Sequence, residues 1–141
     1  MFDRCIYFNG NALVRTLNRI WEEAFQEFGL SPAHAYLLRY VLANPGCTQR
    51  AIARARELSD STVTRFIDVL VHKRLIVRQG TSQDKREILV YPTKQGQALQ
   101  DRLEATGKML YQRMRKILGA TGFDGLVAGM RSARENISAI D

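Results

Sequence analysis

The stretch Thr48–Tyr91 reads TQRAIARARELSDSTVTRFIDVLVHKRLIVRQGTSQDKREILVY. Within it, Val63, Phe66, Ile67 and Leu70 are spaced i, i+3, i+4, i+7, the signature of one apolar helix stripe. At about 100° per residue, Ser61, Arg65, Asp68 and His72 point the other way, with Thr62 and Thr64 on the flanks. Ser59 is a good N-cap, and Asp60 places negative charge on the first turn, where the helix dipole favours it. The pattern predicts a helix from Ser59 to Lys73. An ordinary amphipathic helix with a solvated face has the same spacing, so its neighbours decide how it is read.

Upstream, Gln49 to Arg56 carries a short helical pattern around Ile52 and Ala53, followed by a tight link to Ser59. Two short helices joined this way make a helix-turn-helix. Downstream, Leu75-Ile76-Val77 and Ile88-Leu89-Val90-Tyr91 are β-prone runs. Between them, Gly80 to Arg86 is a polar, turn-forming loop tipped with basic charge. Helix, helix and a two-stranded hairpin predict a winged helix, with the hairpin as wing. A helix that offers hydroxyls and an arginine near its N-terminus suits the major groove of DNA.

The 141 residues fit one domain, or a small domain with extended dimerisation helices. With 45% hydrophobic and 25% charged residues the chain is globular in composition. Its formal net charge is +7, unevenly placed. Residues 1–47 hold four basic and four acidic side chains, residues 48–90 nine and five, and residues 91–141 eight and five. The excess begins where the helix-turn-helix begins. A basic patch attracts polyanions, nucleic acid foremost, although anionic lipid would answer to the same sum. No apolar run approaches the roughly 20 residues that span a bilayer, and the N-terminal MFDRCIYFNG lacks a signal-peptide apolar core. The expectation is a cytoplasmic protein with no membrane partner. Cys5 and Cys47 form neither a secreted disulfide framework nor a metal-ligand spacing.

Leu13, Leu17, Ile20, Trp21, Ala24, Phe25 and Phe28 predict a first long helix over roughly Tyr7–Glu27, ended by Gly29. Ser31-Pro32 is a start signal for a second helix reaching about Ala43, with Tyr36, Leu37, Tyr40 and Val41 as its apolar face. Asn44-Pro45-Gly46 stops it. After the wing, Pro92-Thr93 opens a long helix to Leu118, broken by Gly119. Thr121 to Asp124 reads as a capping box, and Phe123, Leu126, Val127, Met130, Ala133 and Ile137 mark a last helix. Apolar faces on both terminal helices predict a two-fold homodimer, unless they pack only on the long helix of their own chain.

With this order in place, the chain resembles the MarR family of bacterial transcriptional regulators. The resemblance covers nearly the whole chain. It is carried by Ser59-Asp60-Ser61-Thr62-Val63-Thr64-Arg65 at the recognition-helix start, by Asp84-Lys85-Arg86 at the wing tip, and by Pro92-Thr93-Lys94-Gln95-Gly96 after the wing. Three positions depart from the family pattern. Glu57 and Arg74 stand where glycine is usual, and Arg56 stands at a usual core leucine, from which it is expected to snorkel outward toward phosphate. The resemblance implies a mainly α fold with a small β-hairpin wing. The winged helix-turn-helix domain (31–92) would be flanked by dimerisation helices (1–30 and 119–141), with 93–118 as connecting helix.

It further implies a homodimer on a pseudo-palindromic promoter site in double-stranded DNA. Ser59, Asp60, Ser61, Thr62, Thr64 and Arg65 would divide between base edges and phosphates. Arg86 would suit a narrow, electronegative minor groove. Asp84 would orient an arginine by a charge-assisted bond, and Lys85 would lie near phosphate. Repression would be released by a small-molecule effector or an oxidant that shifts the spacing of the two reading heads.

Cys5, followed by Tyr7 and Phe8, resembles the sensing cysteine of organic-hydroperoxide-responsive members; a small buried hydrophobe is the plainer reading. Trp21, His34, Tyr36, Arg39, Tyr40 and Tyr111 are the candidates for lining an effector pocket, although aromatics at this spacing also make plain core. His34, in a first helical turn, reads as an exposed or capping residue. Its sole companion histidine is His72, so no metal and no cofactor is expected. The chain has no nucleophile–base pair, phosphate-binding glycine loop or paired carboxylates, and an enzyme is not expected. A winged-helix module that binds protein or RNA stays open as the alternative.

Overall fold

The computed structural model describes residues 1–80 and 87–140. The chain is mainly α-helical with one small antiparallel sheet. Helix α1 (Ile6–Phe25) is followed by a 3-10 turn (Gln26–Phe28), α2 (Pro32–Ala43), β1 (Cys47–Thr48), α3 (Gln49–Arg56), α4 (Asp60–His72), β2 (Ile76–Gln79) and β3 (Leu89–Pro92). Then come α5 (Lys94–Ala98), α6 (Gln100–Leu118) and α7 (Ala120–Ser138). It divides into two compact units, residues 1–104 and 105–141.

The first unit is organised around a core of Phe25, Leu37, Leu38, Val41, Ile52, Val63, Ile67, Leu70, Ile76 and Val90, each 0% exposed. The stripe predicted for α4 is buried at Val63, Ile67 and Leu70; Phe66 is half-buried. On α2 the buried face is Ala35, Leu37, Leu38, Val41 and Leu42, so the ring-bearing edge predicted at Tyr36 and Tyr40 sits half-buried beside it.

Local chemistry sets the element ends. Ser31, Thr48, Ser59 and Thr93 each accept a backbone N–H three residues on, capping α2, α3, α4 and α5. Gly29 ends the first helix and its 3-10 turn at φ 65°, the left-handed conformation that glycine adopts freely. The sheet has the order β1-β3-β2, with Cys47 opposite Val90 and Val77 opposite Tyr91. Strand β1 was not anticipated: two residues are too few to carry an alternation.

Two further features correct the sequence reading. The long helix is interrupted at Leu99, so α5 is a short helix of its own. Its Gly96 packs so closely on β2's approach that an added Cβ would stand 2.2 Å from the Leu75 carbonyl oxygen. And α7 starts at Ala120, with Gly119 as cap and no side-chain cap bond. Asp124 therefore closes no capping box; it accepts instead from Arg115 Nη1 at 2.5 Å.

In the second unit, Arg115 also lies over the rings of Tyr111 and Phe123, each 5.5 Å from the ring centre, and those two rings meet edge to face. Helix α7 buries none of its residues; Leu126, Met130 and Ile137 are 39%, 44% and 57% exposed.

Candidate nucleic-acid interface

The turn between α3 and α4 explains how the head is built without its usual glycine. Glu57 takes the left-handed conformation itself, at φ 51°, and its N–H bonds back to the Ala53 and Arg54 carbonyls. Arg74 does the same before β2, at φ 61°. Non-glycine residues adopt this conformation at a cost of about 1–2 kcal/mol. Both turns therefore keep their shape and carry some strain. Arg56 is exposed, as expected, and lies over the Tyr36 ring at 5.2 Å from its centre. An aromatic face a short reach away attracts a guanidinium and its apolar stem together.

The N-terminal turns of α4 hold the six candidate residues. Ser59 Oγ accepts the Thr62 backbone N–H (3.2 Å), donates to Thr62 Oγ1 (2.8 Å) and lies 3.2 Å from Ser61 Oγ. The Thr64 hydroxyl donates to the Asp60 carbonyl (2.9 Å) and accepts from Gln49 Nε2 (3.4 Å). Ser59, Thr62 and Thr64 thus use much of their bonding capacity inside the protein, holding the helix start in one arrangement. Ser61 and Arg65 are exposed, and Arg65 has no ion pair or hydrogen bond among the described residues. A cation left uncommitted on an outward helix face is well placed to meet an anion. Asp84, Lys85 and Arg86 lie outside the described residues.

Among the candidate effector residues of the first unit, Trp21, Tyr36 and Arg39 lie together. Trp21 Nε1 donates to Tyr36 Oη at 3.1 Å, and the Arg39 guanidinium stands 5.1 Å from the Tyr36 ring centre. Arg39 also grips Glu104 with two bonds, Nε to Oε1 at 3.1 Å and Nη2 to Oε2 at 3.0 Å. These bonds hold the Glu104 carboxyl below the ordinary carboxylate range. Tyr40 is half-buried on α2, and Tyr111 belongs to the second unit.

His34 is half-buried rather than exposed. Its ring meets Phe66 edge to face at 4.8 Å, and Nδ1 lies 2.5 Å from Ser31 Oγ. Burial first, and the charge of Lys73 second, push its pKa below the ordinary histidine value. Cys5 caps α1, its sulfur accepting the Phe8 N–H at 3.5 Å. Burial pushes the Cys47 thiol up. No cluster of metal-ligating side chains occurs among the described residues, and none of their helices is long and apolar enough to cross a membrane.

Sequence reasoning missed a polar ring formed by Gln49, Thr64, Asp68 and Arg78, which joins α3, α4 and β2. Periodicity marked Asp68 as outward-facing; it could not supply the partner on another element.

Residues 28–87 match the MarR family model. The putative transcriptional regulatory protein for the hcr operon of Thauera aromatica is 30% identical over 76 residues, 54% of this chain and 46% of that protein. The chain therefore matches about half the length of that relative. Among solved structures, the transcriptional regulator SlyA superposes with a TM-score of 0.79 at 24% identity, covering 96% of this chain and 95% of that one. The S. aureus MepR–DNA complex superposes with a TM-score of 0.82 at 20% identity, covering 92% and 96%. At such identities the likenesses speak for the fold alone, a winged helix. The matched stretch, residues 28–87, covers less than half of the chain and contains the capped helix α4; over that stretch the chain is similar to the MarR family.

Proposed function

We propose that the chain is a dimeric, DNA-binding transcriptional regulator that reads a pseudo-palindromic promoter site. One observation carries the reading: the outward face of α4 presents Arg65 uncommitted, with exposed Ser61 beside it, on a start made rigid by Ser59, Thr62 and Thr64. The excess of positive charge over residues 48–90, nine basic against five acidic, supports it. So does the capture of MepR, which shares the fold, in complex with DNA.

In this reading Ser61 and Arg65 address base edges. Ser59, Asp60, Thr62 and Thr64 shape the helix start and meet the backbone. Asp84, Lys85 and Arg86 act as the wing's contacts, with Arg86 in the minor groove. Repression is released by a small-molecule or oxidant signal; the Trp21–Tyr36–Arg39 cluster supports the former and the cap position of Cys5 the latter.

Replacing Arg65 tests the assignment. Arg65→Ala is expected to lose about 1–3 kcal/mol per half-site on specific DNA, as for a bidentate base contact, with an unchanged melting temperature. Fluorescence anisotropy at fixed salt measures it. Wild-type affinity in the variant would remove Arg65 from the base contacts.

A further inference from the structure

Arg78 stands on β2 and reaches two helices. Its Nη2 donates to Asp68 Oδ1 at 2.5 Å and to the Thr64 carbonyl at 3.3 Å, both on α4. Its Nε donates to Gln49 Oε1 at 3.1 Å, in the first turn of α3. Gln49 closes the ring by donating from Nε2 to Thr64 Oγ1 at 3.4 Å, and its backbone N–H donates to the Ile88 carbonyl at 3.2 Å. Four residues from three elements are thus tied where recognition helix, supporting helix and wing strands meet.

Stability alone is a poor account of this ring. Asp68 is 57% exposed and Arg78 28%. Ion pairs so open to water contribute about 0–1 kcal/mol. Charge alone is a poorer account. Asp68 lies three residues after Arg65, on the same helix face, where a carboxylate opposes the approach of a polyanion. What the ring does supply is direction. A planar guanidinium donates along fixed vectors, so bonds to Asp68, Thr64 and Gln49 fix where β2 stands against α4.

We propose that Arg78 and Asp68 are positioning residues of the reading head. Their pairing holds the β2–β3 strands at one angle to α4, so that recognition helix and wing engage a single DNA register together. The inference rests on the DNA-binding reading above. It explains the carboxylate on an otherwise DNA-facing side: Asp68 is there for Arg78, and its repulsion of phosphate is the accompanying cost.

The sign of one substitution separates this account from plain electrostatics. Asp68→Ala makes the protein one unit more positive. Charge alone predicts tighter binding to every duplex and a steeper salt dependence. The positioning account predicts about tenfold weaker binding to a duplex that the wild-type protein selects from a random-sequence pool. Binding to a scrambled duplex of the same composition stays equal or grows tighter. Arg78→Lys keeps the charge but not the fork, and should lose the same discrimination.

Melting temperatures are followed alongside, since a merely structural role would lower them and weaken both duplexes equally. Tighter binding of Asp68→Ala to the selected duplex overturns the inference while leaving the DNA reading intact. So does an equal loss on both duplexes. A wild type that selects no sequence overturns the DNA reading, and this inference with it.

Discussion

Helices α4 and α7 carry apolar stripes of the same kind and meet opposite fates. In α4, Val63, Ile67 and Leu70 are sealed at 0% exposure by the first unit's own core. In α7, Leu126, Met130 and Ile137 remain 39–57% exposed. At the other end of the chain, Ile6, Tyr7 and Val14 of α1 are 72%, 78% and 52% exposed. A buried stripe leaves the opposite face of its helix free for a ligand. An exposed stripe requires a cover, and large exposed apolar patches mark interfaces. The contrast supports the proposed reading, with DNA contact in the middle of the chain and assembly at its ends.

The largest consequence concerns assembly. Leu126→Glu with Met130→Glu places two charges one turn apart on the α7 stripe. The double variant is expected to be monomeric by light scattering while its head melts as before. DNA affinity should fall by about a hundredfold or more, because the second half-site is no longer delivered at high effective concentration. A variant that stays dimeric would mean that the exposed stripe of α7 is not the assembly surface.

A smaller effect is expected within the head. Glu57→Gly relieves a left-handed residue in the turn between α3 and α4, with the backbone bonds to Ala53 and Arg54 retained. The gain should be about 1 kcal/mol, or roughly 3 °C in melting temperature. A drop instead would show that the Glu57 side chain contributes more than its backbone conformation costs.

The smallest effect is pH-dependent. His34 packs α2 against Phe66 of α4, and its pKa lies below the ordinary 6.5. The folded state therefore favours the neutral ring, and the unfolded chain takes up the proton more readily. This contribution is full above pH 6.5 and is lost as the pH falls below it. Urea midpoints between about pH 7.5 and 5.5 should drop less for His34→Gln than for the wild type. Equal drops would mean that another group carries the titration.

Most of the fold was legible because its signals are local. Ser31-Pro32 and Ser59-Asp60 mark helix starts through backbone N–H groups only three residues away. The stripe of α4 needs nothing beyond its own spacing. What escaped the sequence depends on partners far along the chain. Strand β1 exists because Cys47 finds Val90 across the sheet. Arg56 stays exposed but lies over the Tyr36 ring, a partner twenty residues back. Asp68 is a paired rather than a lone surface charge because Arg78, ten residues on, folds back to it. The same limit governs the site. Ser61 and Arg65 face outward by periodicity alone, but how much of the bonding capacity of Ser59, Thr62 and Thr64 stays inside the protein is decided by neighbours such as Gln49.

Selection of a random-sequence duplex pool by the wild-type protein tests the account most directly. A two-fold pair of α4 helices should enrich an inverted repeat with half-site centres about one helical turn, 10–10.5 base pairs, apart. Enrichment of a single direct site, or no enrichment over the starting pool at physiological salt, would contradict a dimer that reads DNA through Arg65 and its neighbours.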